Sequence, residues 1–140
     1  MSAPRPTLDE LLRQHETRQA LAARAAYSLL RITAAVPPES RLVAEAAGTG
    51  QRATAWLGGS ATNPGRWASR SVLTTELTEL DALLVEVQEQ LSVVLAWVSK
   101  NVGNQVGRGG LQTIRVPRTL ISECTTLISD LATLVPAVAA

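Results

Sequence analysis

The chain has 140 residues, 46% of them apolar, and a formal charge of +1. That length suits one domain, and that apolar share excludes a chain too polar to collapse on a core. A charge so near zero excludes a protein that holds a nucleic acid or an acidic surface by bulk charge alone.

Folding a chain of this size buries about two-thirds of its unfolded surface, enough for a core without disulfides or metals. Leu, Ala and Val dominate the apolar residues, Phe is absent, and Tyr27, Trp56, Trp67 and Trp97 are the only aromatics. Leu and Ala favour helices, and most of the Val residues stand at helical spacing. The expectation is an all-α bundle of about four helices, with long first and third helices, two loops containing Gly and Arg, and one domain over residues 1–140. Residues 1–6, Met-Ser-Ala-Pro-Arg-Pro, read as a flexible start without the apolar run of a signal peptide.

The first helix begins at Thr7, where Thr7-Leu8-Asp9-Glu10 fits a capping box. Leu11, His15, Arg18, Ala22, Ala25, Leu29, Ile32 and Val36 follow at spacings of four and three, and Pro37-Pro38 ends the run. A second helix is expected from about Pro38, a good first helical residue, with Leu42, Val43, Ala46, Ala47, Ala53, Trp56 and Leu57 on one face. Gly48 and Gly50 weaken it, and Gly58-Gly59 is its expected end. Trp56-Leu57-Gly58 resembles the W-x-G turn of small secreted helical-hairpin proteins. The likeness covers three residues of a chain with two further helices, so a tryptophan anchoring a helix end is the expectation taken forward. Asn63-Pro64-Gly65 marks a turn within the loop that follows.

The third helix carries the strongest pattern. Leu73, Leu77, Leu80, Leu84, Val87, Leu91, Val94 and Val98 repeat at four-three spacing over nearly four heptads. Gly103–Gly110 ends it in a Gly-rich loop, and Leu111–Val116 reads as an extended connection. The fourth helix starts near Pro117, with Leu120, Cys124, Leu127, Leu131, Leu134 and Val138 in register, and Pro136 kinks or frays its end. The longest charge-free apolar runs, near Leu91–Ser99 and Leu131–Ala140, fall short of the ~18 residues of a membrane span. The default compartment is the cytoplasm.

Chemistry-bearing patterns are sparse. His15 is the only histidine and lacks the second histidine of a metalloprotease helix. Glu76, Glu79, Asp81, Glu86 and Glu89 have no Glu-x-x-His partner and read as a solvated acidic face. Cys124 stands alone, so it forms no intramolecular disulfide and is expected as a buried thiol. Neither Gly48-Thr49-Gly50 nor Gly107-Arg108-Gly109-Gly110 matches a phosphate-binding fingerprint. The expectation is a protein without catalytic residues, metal or cofactor.

Two surfaces remain. At ~1.5 Å per residue, helices one and three reach roughly 45 Å, against roughly 30 Å for the other two. Short helices cannot cover a long one throughout, so part of the helix-three seam is expected to stay open. Leu84, Leu91, Val94, Trp97 and Val98 are therefore the candidate contacts for a homo-oligomer or another helical protein. The second surface is basic. Residues 71–90 hold five acids and no base, whereas residues 100–118 hold four bases and no acid. Lys100, Arg108, Arg115 and Arg118, with Arg66 and Arg70 around the other large loop, are the candidates for a nucleic acid or other anion. Only Trp67 is near for base stacking, so this reading stands second.

Overall fold

A computed structural model describes residues 6–36, 41–61, 70–101, 105–106, 112–113 and 115–134. Helix α1 runs Leu8–Ala34, α2 Arg41–Ala61, α3 Arg70–Asn101 and α4 Arg118–Leu134. Between α3 and α4, strands β1 (Gln105–Val106) and β2 (Gln112–Thr113) pair antiparallel, Gln105 opposite Thr113. The expected extended connection is thus one arm of a short hairpin, a pairing that so brief a segment does not signal by alternation.

Local chemistry sets the helix starts and stops. The Glu10 amide donates to Thr7 Oγ1 at 3.1 Å, half of the capping box anticipated there. At the other end of α1, the Ala35 amide donates to the carbonyls of Arg31 and Ile32. Helix α4 opens at Arg118, directly after Pro117, whose carbonyl accepts from the Leu120 and Ile121 amides. Helix α2 does not end at Gly58-Gly59: it continues to Ala61, and Trp56-Leu57-Gly58 lies inside it rather than at a turn. Pro37-Pro38, Asn63-Pro64-Gly65, Pro136 and Val138 lie outside the described residues.

Cross-links between elements give the topology. His15 meets Glu76 and Arg18 meets Asp81, so α1 and α3 rise in the same direction. Arg52 pairs with Glu86 and Trp56 with Glu79, which sets α2 antiparallel to α3. Gln88 reaches the Ile128 carbonyl, and Arg31 faces Glu123, so α4 also runs down. The arrangement is an up-down-up-down bundle. Its middle is the parallel pair α1–α3, with α2 on one flank and α4 on the other.

The main core joins Ala22, Ala25, Ala26, Leu29 and Ile32 of α1 to Leu80, Leu84, Val87, Leu91, Val94 and Val98 of α3. Val43, Ala46 and Ala53 close it from α2; Leu120, Cys124, Leu127 and Leu131 close it from α4. A second, smaller cluster of Leu11, Leu73 and Leu77 lies toward the N-terminal ends of α1 and α3. The small residues let α1 and α2 approach closely. A Cβ added at Gly50 would stand 2.9 Å from Leu30 Cδ2 and 3.6 Å from the Ala26 carbonyl oxygen.

This packing corrects the length argument. The short helices do not have to cover the α3 seam, because α1 is nearly as long, parallel, and laid directly on it. Leu84, Leu91, Val94 and Val98 are each 0% exposed within the single chain. They are core residues and are not available to a partner.

Candidate interaction surfaces

With its seam turned inward, α3 presents a different line to solvent. Thr75, Thr78, Ala82, Glu89, Val93, Ala96 and Lys100 are exposed, and Val85 is half-buried among them. Their spacing of three and four residues places them on one helical face, opposite the seam. Val93, 43% exposed, is the most open large apolar side chain of α3. An 18-residue window of α3 reaches a mean hydropathy of 1.3, and only 33% of it is buried in the bundle. By length and composition alone α3 could cross a membrane, which the count of charge-free runs missed because it treats one or two charges as an interruption. Trp97, the remaining interface candidate, is half-buried at the rim and packs against the main core.

Beside this line, the outer surface of α4 is poor in charge. Ser122, Thr125, Thr126 and Ser129 are exposed, and several threonine hydroxyls are already turned back onto the helix. Thr125 Oγ1 donates to the Ile121 carbonyl at 2.9 Å and Thr126 Oγ1 to that of Ser122 at 3.0 Å. Glu123 is half-buried and faces Arg31 on α1 at 3.7 Å, away from α3.

The basic candidates divide between the two ends of the bundle. Lys100 is exposed in the last turn of α3, and Arg115 and Arg118 are exposed where the chain enters α4. These three share the hairpin-bearing end. Arg70 is exposed at the first residue of α3, so about 45 Å of helix separates it from Lys100. Arg66 and Arg108 lie outside the described residues. Arg52 lies in the middle of α2, where it binds Glu86 and also donates to Thr49 Oγ1 at 3.2 Å.

One polar contact was not legible from spacing. His15 Nε2 stands 3.2 Å from Glu76 Oε2, and the two residues are 3% and 2% exposed. Glu76 is thereby taken out of the supposed solvated acidic face. One turn further along, Arg18 Nε donates to Asp81 Oδ1 at 2.6 Å. This pair of contacts ties α1 to α3 between the main core and the smaller Leu11 cluster. The remaining signal was present in the sequence: His15 falls on the apolar stripe of α1, and Glu76 falls between Leu73 and Leu77 on that of α3. Only their mutual approach is tertiary.

Cys124 is fully buried in α4, and desolvation, with the nearby Glu123 charge adding to it, pushes its thiol up from 9.0 to about 11. Among the described residues, no group of three or more His, Cys, Asp or Glu side chains could hold a metal ion. A shallow groove of about 430 Å³ between α1 and α4 is lined by Leu21, Arg24, Asp130, Thr133 and Leu134. It is open to solvent and gathers no set of catalytic groups.

No family model, curated protein or solved structure matches this chain.

Proposed function

We propose that the protein is a non-enzymatic helical module that self-associates through the outer face of α3. The observation that carries this reading is the α3 window whose mean hydropathy is 1.3 and of which the chain buries only a third. A soluble bundle gains little from Val85, Val93 and Ala96 in water, whereas burial against a second helix returns about 25 cal/mol per Å² of apolar area. The contact residues are Ala82, Val85, Val93 and Ala96, rotated half a helix turn from Leu84, Leu91, Val94 and Val98. The seam itself supplies the rigid support. A bilayer is a poorer occupant, because α1, α2 and α4 already enclose the other faces of α3.

Light scattering after size exclusion tests the reading. The wild-type chain is expected above monomer mass, and Val93→Glu is expected to return it to monomer with its helical content intact. A wild-type monomer at every concentration, or an unchanged multimer in Val93→Glu, removes the α3 face from consideration.

A second reading rests on a different observation. Between Glu89 and Glu123 the chain has no acid but carries Lys100, Arg108, Arg115 and Arg118. Lys100, Arg115 and Arg118 are exposed at the hairpin end, where a phosphate-bearing partner such as a nucleic acid would be held by charge. That reading requires binding that weakens steeply with salt and falls when Arg115 and Arg118 become Ala. Salt-independent binding, or none, removes it.

A further inference from the structure

The exposed line of α3 is self-complementary in one direction only. Glu89, Val93, Ala96 and Lys100 follow one another at spacings of four, three and four and share one exposed face. An acid opens the line, a base closes it, and two apolar residues stand between them. We propose that a second copy of this chain docks on it antiparallel, α3 against α3, with Glu89 opposite Lys100 of the partner and Val93 opposite Ala96 of the partner. This rests on the self-association reading and adds its geometry.

Charge selects the direction and the register. A parallel pairing sets Glu89 against Glu89 and Lys100 against Lys100, and like charges in contact disfavour it. An antiparallel pairing centred on Glu89 brings the two carboxylates together. Moving the centre to the middle of the Glu89–Lys100 interval removes both clashes. It forms two equivalent Glu–Lys pairs about 16 Å apart along the helix, with Val93 and Ala96 enclosed between them. Such an interface is isologous, so it closes at two copies.

The charge-poor Ser122, Thr125, Thr126 and Ser129 surface of α4 flanks the line without opposing it. Small side chains at Ser92 and Ala96 leave room for close helix approach.

Charge reversal on the full-length chain tests the geometry. Glu89→Lys and Lys100→Glu each turn two attractive pairs into two repulsive ones, and each is expected to weaken the dimer by about tenfold or more. The double variant Glu89→Lys/Lys100→Glu restores both pairs with their signs exchanged and is expected to return close to wild-type affinity. Sedimentation velocity reads the affinities, and far-UV circular dichroism checks that each variant keeps its helices. If wild type dimerises but the double variant is no better than either single one, the antiparallel register is wrong while self-association stands. If wild type sediments as a monomer throughout, both fall.

Discussion

Replacing His15 by Leu isolates what the buried His15–Glu76 contact is worth. The two side chains are 3.2 Å apart and nearly sealed from water, at 4% and 2% side-chain exposure. Removing the imidazole takes from Glu76 a partner that helps offset the desolvation of its carboxylate. Breaking a buried pair from one side typically costs about 3–5 kcal/mol. Folding stabilities of ~5–15 kcal/mol are usual for single domains, so His15→Leu is expected to remove a large part of the total. The double variant His15→Leu/Glu76→Leu replaces both groups with apolar side chains and joins Leu11, Leu73 and Leu77 to the main core. Its stability is expected to equal or exceed that of wild type, because well-packed apolar residues of similar volume often replace a buried polar contact without loss. Urea denaturation followed by tryptophan fluorescence yields the four stabilities of the cycle, and the slope checks that the unfolding remains two-state. A His15→Leu cost below about 1 kcal/mol, or a double variant as unstable as the two single ones summed, would refute the view that the pair is a mutually dependent buried contact.

The two glycines of α2 are expected to diverge. Gly48→Ala meets only Arg52 Nη1 at 3.5 Å and should stabilise by up to ~1 kcal/mol, whereas Gly50→Ala drives a methyl into Leu30 at 2.9 Å and should destabilise; thermal melts that moved both variants the same way would contradict the packing of α1 on α2. Leu91→Asp buries a carboxylate at a fully enclosed site and is expected to unfold the chain, seen as loss of helical circular dichroism, rather than to yield a folded monomer. Cys124 is expected to resist alkylation at neutral pH until denaturant is added. Its thiol titrates near 11 in the fold against 9.0 as the ordinary value, so the native state holds the proton longer than the unfolded chain does. Stability from this group is therefore complete below pH 9 and declines by about 2–3 kcal/mol between pH 9 and 11; Cys124→Ala should flatten that decline in pH-dependent urea melts.

The helices follow from local pattern. Leucine and valine repeated every three or four residues from Leu73 to Val98 leave no other period for that segment, and the observed helix contains all of it. Thr7 and Pro117 set helix starts through capping and a preset backbone angle, which are local effects that need no knowledge of the rest of the chain. The buried face of each helix was legible for the same reason: Leu11, Ala22, Ala25, Leu29 and Ile32, and likewise Leu120, Cys124, Leu127 and Leu131, keep one phase of the 3.6-residue turn.

What meets those faces is set by packing between distant segments. A stripe on α3 says that something covers it, not whether the cover is α1 or a second molecule, because burial is non-directional and any apolar surface satisfies it. The lengths of the helices pointed to an open seam, but the parallel placement of α1 along α3 closes it and leaves Val93 and Ala96 exposed on the opposite side. Gly50 shows the same division. In sequence it is one more helix-weakening residue; in the fold it is where α2 touches Leu30 of α1, a contact set by the distance between two helix axes. His15 and Glu76, sixty-one residues apart in the chain, become partners only when two helices run in parallel at one register, and register between distant segments is a property of packing that local spacing does not encode.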